Sequence, residues 1–283
     1  MRSIKEAFAR GKAFIPFITC GDPDLESTKK LVKSMVENGA DLIELGIPFS
    51  DPTAEGPVIM EADLRALQGG CTTEKVFQMT RELRQEVDVP FVYMTYANVV
   101  FSYGSRKFME KAKEAGVSGL ILPDVPYEER EEFLQDCRDF GIALISMVAP
   151  TSEDRIAKIA KDAEGFLYIV SSLGVTGERK EITTDLSSLL KMVKSHTDIP
   201  CAVGFGISTR EQAKEVAKYA DGVIVGSAIM KKIHENPGKE EAVLGEYVAS
   251  MKSVLAFFKE AQNQDSQNRQ SNGKILGFAE LFF

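Results

Sequence analysis

Several features that mark other classes of protein are scarce or missing in this chain of 283 residues. No stretch approaches the ~20 consecutive apolar residues of a membrane-spanning helix, and residues 1–14 lack the long apolar region of a secretory signal peptide. Acidic residues outnumber basic ones, 42 against 34, which gives a net charge of −8. Because a phosphate backbone requires clustered lysine and arginine, the composition argues against a nucleic-acid partner. We therefore expect neither membrane insertion nor nucleic-acid binding.

Cysteine and histidine are too few and too scattered to predict a metal site. The four cysteines are Cys20, Cys71, Cys137 and Cys201. None belongs to a CxxC pair or lies near a histidine at the spacing of metal ligands. The two histidines, His196 and His234, lie in polar helical segments and are expected at the surface. The sequence predicts free thiols in a reducing cytoplasm and no metal.

Eight short apolar segments alternate with amphipathic helical segments along the chain. Each is apolar nearly throughout, which is typical of parallel strands that are covered by helices on both faces. The eight segments are residues 14–19, 41–46, 90–96, 119–124, 142–149, 166–171, 200–206 and 221–226. Several helical segments begin at a capping residue and end at glycine, and Ser208 with Glu211 has the form of a capping box.

This succession of strand-then-helix units predicts an α/β fold, a single (β/α)8 TIM barrel. A doubly wound open sheet is the alternative, but it typically uses fewer strands, and no GxGxxG motif follows the first strand. Successive strands begin 21 to 34 residues apart, except that the second and third begin 49 apart. Extra helical structure is therefore expected after strand 2, with a short helix near 58–67. The barrel is predicted to occupy residues 1–261, followed by a polar, disordered extension, 262–283.

Two glutamates stand out in ELGIPFSDPTAEGP, residues 44–57. Glu44 lies in the second strand among leucine and isoleucine, where burial at the barrel mouth would raise its pKa toward the range useful for proton transfer. Glu55 lies in the following loop, whose prolines restrict the backbone. The alternative for Glu44 is an ion pair with a lysine or arginine from a helix or loop, since the strand segments contain neither. The alternative for Glu55 is a solvated acid or a charge that precedes a helix.

Three glycine-bearing junctions follow the last strands: SSLGVTG (171–177), GFGIS (204–208) and VGSAIM (225–230). Glycine lets a backbone approach a ligand closely, and a helix N-terminus offers unpaired N–H groups to an anion. The loops after strands 7 and 8 are the recurrent phosphate site of TIM barrels. Each junction alone is equally a simple turn, but together they indicate a small phosphorylated substrate. The two glutamates indicate acid–base chemistry upon it.

These motifs closely resemble those of the tryptophan synthase α subunit family. ELGIPFSDPTAEGP looks like the signature of the family, and the similarity extends to about residue 260. FIPFITCGDPD, TYAN, LPDVP, SLGVTG, GFGIS and VGSAI also fall in the family's order and spacing. The resemblance implies retro-aldol cleavage of indole-3-glycerol phosphate to indole and D-glyceraldehyde 3-phosphate, a lyase step of tryptophan biosynthesis. It also implies that no cofactor is bound in this chain, and that indole passes to a β subunit carrying pyridoxal phosphate (PLP) in an α2β2 complex.

The resemblance also implies roles for individual residues. Glu44 matches the glutamate that shuttles protons, and Glu55 matches the second acid, which handles the indole N–H as positive charge develops. The apolar positions around the substrate's indole match Phe17, Met94 and Phe205, and a supporting active-site tyrosine matches Tyr168. The phosphate contacts match Gly177, Gly206, Gly226 and Ser227, and the mobile-loop threonine that helps to order the second acid matches Thr176. The face that meets the β subunit matches Asp51, Pro52, Asn98 and Pro126.

The chain departs from the family pattern at two positions. The second acid is usually aspartate, and Glu55 is one methylene longer, which changes its reach by about 1.5 Å. Thr53 stands where an apolar residue is usual. Two other functions therefore stay open: a stand-alone lyase that releases free indole, and a non-catalytic partner that only activates a β subunit.

Overall fold

Nine β strands form the centre of the molecule, a computed structural model that describes residues 2–170, 185–204 and 206–258. The strands are β1 (Ala13–Thr19), β2 (Ile43–Gly46), β3 (Phe91–Met94), β4 (Gly119–Ile121), β5 (Ala143–Leu144), β6 (Ser146–Val148), β7 (Leu167–Val170), β8 (Cys201–Gly204) and β9 (Gly222–Val225). Every strand pair is parallel, as expected for strands joined by helices.

Helices alternate with these strands and cover the outside of the sheet. They are α1 (Ile4–Phe8), α2 (Leu25–Glu37), α3 (Pro57–Gln68), α4 (Thr73–Leu83), α5 (Ala97–Tyr103), α6 (Ser105–Glu114), α7 (Glu131–Phe140), α8 (Glu153–Lys161), α9 (Leu186–Lys194), α10 (Arg210–Ala217), α11 (Ser227–Glu235) and α12, which includes 240–258. A short 3-10 helix, Tyr127–Glu129, precedes α7. No helix in the described ranges is long and apolar enough to cross a membrane.

The strands follow the order β5-β4-β3-β2-β1-β9-β8-β7-β6 around a barrel. Its two ends, β5 and β6, are consecutive pieces of the predicted fifth strand, which is interrupted at Ile145. The Ile145 N–H still donates to the Leu120 carbonyl at 2.9 Å, so the interruption is local. The predicted TIM barrel is confirmed. The loops at the carboxyl ends of its strands form the barrel mouth, where TIM-barrel active sites lie.

The expansion after β2 is also confirmed, because α3 is an additional helix ahead of α4. It begins at Pro57 behind the cap residue Gly56, the position at which proline's fixed φ and missing N–H suit a helix best. The preceding residues 47–56, here called the acid loop, connect β2 to α3 and carry Glu55. The expansion thus places a loop acid beside the mouth.

The capping box of α10 differs from the prediction by one residue. Thr209, not Ser208, is the cap: its Oγ1 accepts from the Gln212 N–H at 3.2 Å, and the Gln212 side chain accepts from the Thr209 N–H at 3.1 Å. Gln212 Oε1 also accepts from the Ser208 N–H at 2.9 Å. One glutamine thus satisfies two backbone donors, which Glu211 does not do. The predicted boundary at 261 and the extension 262–283 lie outside the described residues.

Candidate active site

Glu44 lies in β2 with only 1% of its surface exposed. The parallel register sets it beside Phe17 of β1 and Val92 of β3. Its Oε1 has no hydrogen-bond partner, and no described lysine, arginine or histidine lies within ion-pair distance of it. Burial, and then the charge of Glu55, raises its pKa to about 8. A structural ion pair is therefore ruled out within this part of the chain, and Glu44 keeps its proton at neutral pH.

Glu55 is the next-to-last residue of the acid loop, beside the cap residue Gly56 of α3, and is 5% exposed. The Tyr96 hydroxyl donates to Glu55 Oε1 at 3.4 Å and accepts from the Ala54 N–H at 3.1 Å. The Tyr96 ring stacks on Phe49 with 5.3 Å between centroids. Tyr96 thus contacts both ends of the acid loop and fixes the second carboxylate near the first.

The sequence did not identify Tyr96 as a residue of the site, although it lies in the TYAN motif. A signal was present, because Tyr96 follows Met94 by two residues at the end of β3, and side chains two apart lie on the same side of a strand. Burial, and then the charge of Glu55, raises the pKa of the Tyr96 hydroxyl, so it stays a hydrogen-bond donor at any physiological pH.

A third buried acid, Asp63, was also missed. It lies on α3 with 5% of its surface exposed, on the helix face shared with Ile59 and Ala66. Thr19 Oγ1 lies 3.3 Å from Oδ1, and the Phe49 N–H donates to Oδ2 at 3.4 Å. Burial raises its pKa to about 7, against the opposing effect of the Phe49 hydrogen bond. The signal in the sequence was the helical spacing, which puts Asp63 among apolar residues.

Phe17, Met94 and Tyr168 form a buried apolar wall at the mouth, each 5–6% exposed. Two glycines leave room for its rings: a Cβ on Gly46 would lie 2.6 Å from Phe17 Cζ, and one on Gly204 would lie 2.3 Å from the Tyr168 hydroxyl. Burial and the charges of the two glutamates raise the pKa of Tyr168. The wall is thus adjacent to both acids, and its tyrosine remains neutral.

The N-terminus of α11 provides the described part of the predicted phosphate site. Gly226 is its cap residue, Ser227 is its first residue, and no side chain caps it or adds an acid to its first turn. Gly206 at the neighbouring junction has φ of +79°, a conformation that favours glycine. The first N–H groups of α11 lack intrahelical acceptors and suit an anion. The remaining predicted residues, Thr176, Gly177 and Phe205, lie outside the described residues.

The predicted partner-facing residues lie on three adjacent loops. Asp51 and Pro52 are in the acid loop after β2, Asn98 is in α5 after β3, and Pro126 follows β4. All are exposed except Pro52, which is half-buried. Phe101 of α5 adds a ring that is 50% exposed on the same side. Because β2, β3 and β4 are neighbours in the sheet, these residues form one continuous rim, here called the partner rim.

Both histidines are exposed, as predicted. Within the described ranges, no group of three or more histidine, cysteine or acidic side chains is arranged to hold a metal ion. All four cysteines are buried free thiols.

Comparison with known proteins agrees with this geometry. The family model described as "Tryptophan synthase alpha chain" matches residues 4–259. The tryptophan synthase alpha chain of Lacticaseibacillus casei is 45% identical over 255 residues, which cover 90% of this chain and 96% of that relative. That of Shouchella clausii is 48% identical over 233 residues, covering 82% of this chain and 87% of the relative.

Solved structures agree as well. A Mycobacterium tuberculosis tryptophan synthase chain superposes with a TM-score of 0.82 at 32% identity, covering 90% of this chain and 99% of the other. A chain of the a2b2 tryptophan synthase complex of Pyrococcus furiosus superposes with a TM-score of 0.80 at 37% identity, covering 86% and 98%.

Proposed function

Because this chain belongs to the tryptophan synthase alpha chain family, we propose that its barrel mouth cleaves indole-3-glycerol phosphate to indole and D-glyceraldehyde 3-phosphate. The chain is then a carbon–carbon lyase of tryptophan biosynthesis. The observation that carries the proposal is Glu44: a fully buried carboxyl group without a cationic partner, opposite a second carboxyl group, Glu55.

The two acids divide the proton transfers between them. The bond between the indole ring and the side chain breaks when the ring carbon gains a proton and the adjacent hydroxyl loses one, so that its electrons form the aldehyde. Glu44 keeps its proton at neutral pH, which suits it to deliver the first proton and, once ionised, to accept the second. Ionised Glu55 accepts a hydrogen bond from the indole N–H while the ring is positively charged.

Binding residues surround this pair. We assign the indole to the apolar wall of Phe17, Met94 and Tyr168, together with Phe205. We assign the phosphate to the backbone of Gly177, Gly206, Gly226 and Ser227, and the ordering of Glu55 to Thr176. The uncapped start of α11 and the absence of acids from its first turn support the phosphate assignment.

The partner is the β subunit in an α2β2 complex, and the PLP of that complex belongs to the β subunit. We assign the contact to the partner rim, through Asp51, Pro52, Asn98 and Pro126, whose exposure and continuity support it. A cytoplasmic location fits the four free thiols. We also propose a domain boundary near 261, with 262–283 as a separate extension.

The decisive experiment is an assay of indole-3-glycerol phosphate cleavage by the purified chain, with and without a β subunit. Glyceraldehyde 3-phosphate should form, and faster with β. No product under either condition contradicts the proposed function. Full activity unaffected by β indicates a stand-alone lyase. Stimulation of β without any cleavage indicates a non-catalytic activator.

The longer second acid calls for its own measurement. Glu55→Ala should lower kcat by about 10²–10⁴-fold, the usual contribution of an acid–base group. Glu55→Asp withdraws the carboxylate by about 1.5 Å from a position that Tyr96 already contacts at 3.4 Å, so a rate between those of Glu55→Ala and the wild type is expected. Steady-state kinetics check both variants. A near-normal rate in Glu55→Ala would mean that the second acid lies elsewhere.

A further inference from the structure

A cleft at the amino end of the barrel, opposite the mouth, has no part in the proposed chemistry. The segments that precede β1, β8 and β9 form its walls, and its volume is about 430 Å³. That volume lies within the range of small-molecule sites in proteins. Four charged side chains line this amino-end cleft: Lys12, Lys194, Asp198 and Asp221. Their arrangement indicates which kind of molecule the cleft suits.

Lys12 is the most deeply buried of the four, with a side chain that is 11% exposed. Its ammonium group donates to the Ala220 carbonyl at 2.7 Å, whereas the nearest oxygen of the Asp221 carboxylate lies 4.0 Å away. Burial lowers the pKa of this ammonium group against the opposing effect of Asp221, and Lys194 lowers it further. The described groups thus compensate the charge of Lys12 only in part, and a bound anion would complete the compensation.

Asp221 holds the two lysines near one another but is itself largely occupied. Its Oδ1 accepts from Lys194 Nζ at 2.9 Å, and its Oδ2 accepts from the Cys201 N–H at 3.0 Å. Lys194 also donates to the Tyr219 carbonyl at 3.3 Å. Because an ammonium group has three donors, each lysine keeps at least one N–H for a ligand. The two lysines together therefore suit a carboxylate.

Asp198 stands apart from this network of lysines. It is exposed, and within the described ranges no hydrogen bond or ion pair involves its side chain. A turn closed by Thr197 Oγ1, which accepts from the Ile199 N–H at 3.2 Å, holds it at the cleft. Two lysines and two aspartates make the lining electrically balanced. A ligand with one charge of each sign keeps that balance, whereas a simple anion or cation does not.

The cleft also has an apolar side, formed by Phe8, Ile199 and Pro200. All three are half-buried, so each still presents apolar surface to solvent. The Phe8 ring packs against Phe166 with 5.7 Å between the centroids, which supports it from behind. A ligand that fills the cleft therefore has an apolar part next to its two charges.

We propose that the amino-end cleft binds a free amino acid with an apolar side chain. The carboxylate of the amino acid pairs with Lys12 and Lys194, and its ammonium group pairs with Asp198. Its side chain packs on the apolar side of the cleft. The site is separate from the mouth, so the proposal holds whether or not the chain cleaves indole-3-glycerol phosphate.

The test is a titration of L-leucine into the ¹⁵N-labelled chain, followed by NMR. L-leucine is the probe because its aliphatic side chain is unlike the indole that the mouth is proposed to bind. The amide signals of Gly11 and Ile199 should shift saturably, with a Kd of about 1 mM or lower. The absence of a saturable shift at these two residues, or shifts only at the mouth, overturns the proposal.

Two analogues test the need for both charges. 4-Methylpentanoate is L-leucine without its ammonium group, and 3-methylbutylamine is L-leucine without its carboxylate. Each analogue loses a hydrogen bond between charged groups, so each should bind at least about tenfold more weakly than L-leucine. An analogue that binds as tightly as L-leucine overturns the proposed class of ligand.

Variants locate the site. Lys194→Met and Asp198→Asn should each raise the Kd for L-leucine at least about tenfold. Lys191→Met, an exposed lysine of the same helix α9 outside the cleft, and Asp154→Asn, an exposed acid at the mouth end of α8, should leave it unchanged. Asp198 is exposed, so its replacement should not disturb folding. Equal Kd values in Asp198→Asn and Asp154→Asn overturn the proposal.

Discussion

Single carboxyl groups at the mouth of this barrel are placed where water cannot stabilise their charge. Glu44, Glu55 and Asp63 each have 5% or less of their surface exposed. Burial is the largest cause of the raised pKa of Glu44 and of Asp63. A protonated carboxyl group near neutral pH is useful as a proton donor, but it is obtained at a cost in stability.

That cost predicts a pH dependence of stability which Glu44→Gln should remove. In the unfolded chain, Glu44 loses its proton near pH 4.5, whereas in the folded chain it keeps it until about pH 8. The folded state thus binds more protons between these values, so its stability falls as pH rises from 4.5 to 8. Relative to the wild type, Glu44→Gln should gain of the order of 3 kcal/mol from pH 5 to 8. Urea unfolding at several pH values measures this gain.

The same comparison for Glu61→Gln provides the control, because that side chain is exposed and its replacement should leave the pH dependence unchanged. Parallel stability curves for the wild type and Glu44→Gln would show that Glu44 titrates normally in the folded chain. Its assignment as a proton donor at neutral pH would then be wrong.

Tyr96 orients Glu55 through a single hydroxyl group. Tyr96→Phe removes the contacts to Glu55 and to the Ala54 N–H but keeps the ring that stacks on Phe49. A hydrogen bond to a charged group contributes about 1.5–3 kcal/mol, so kcat should fall at least about tenfold, with a smaller change in KM. Tyr103→Phe removes a similar tyrosine–carboxylate bond, to Glu74 at the surface, and should change kcat less than about twofold. Equal kcat in both variants would contradict the role of Tyr96.

Among the elements, α3 and α11 begin in similar ways but serve different groups. Both have glycine as the cap residue, no side-chain cap and no acid in the first turn. At α3, proline occupies the first position and Glu55 stands just ahead of the cap. At α11, Ser227 occupies that position with its N–H available. The first helix start therefore suits a protein carboxylate, and the second suits a ligand's phosphate.

This difference predicts that one substitution at the start of α11 weakens binding of the substrate. Ser227→Asp places a negative charge at the first residue of α11, where it interacts favourably with the helix dipole but repels phosphate. KM for indole-3-glycerol phosphate should rise by about 10-fold or more. Ser187→Asp makes the same change in the exposed first turn of α9 and should leave KM unchanged. An unchanged KM in Ser227→Asp would remove α11 from the phosphate site.

The elements were largely predictable from sequence, because hydrophobic periodicity reports burial directly. The apolar strand segments located every strand, and the 49-residue spacing located α3. Strand ends were less accurate: the predicted strand 90–96 is only Phe91–Met94. The interruption at Ile145 and the capping box at Thr209 depend on which carbonyl or side chain each donor reaches, and periodicity does not carry that information.

At the level of the whole molecule, the barrel places three functional regions around one mouth: the acids, the proposed phosphate site and the partner rim. Glu44 lies in β2 and Glu55 follows it, the described residues of the proposed phosphate site follow β8 and β9, and the partner rim follows β2, β3 and β4. The acid loop contributes to two of these regions. It carries Glu55 at one end, and exposed Asp51 near its middle is part of the partner rim. Glu44 was predictable because a lone acid in an apolar strand is conspicuous. Tyr96 and Asp63 were not singled out, because their importance depends on contacts between distant segments.

A partner that covers the partner rim would therefore also contact the acid loop, which carries Glu55. This predicts that Phe101→Glu, a charge introduced in the rim, raises the concentration of β subunit needed for half-maximal stimulation of cleavage by at least about tenfold, since a charge buried without a partner at an interface costs several kcal/mol. Tyr219→Glu is the matched control: Tyr219 is 39% exposed and precedes β9, at the opposite end of the barrel. Titration of β into each variant, read as glyceraldehyde 3-phosphate formed, compares them. Equal half-maximal concentrations in both variants would place the β subunit elsewhere on the chain.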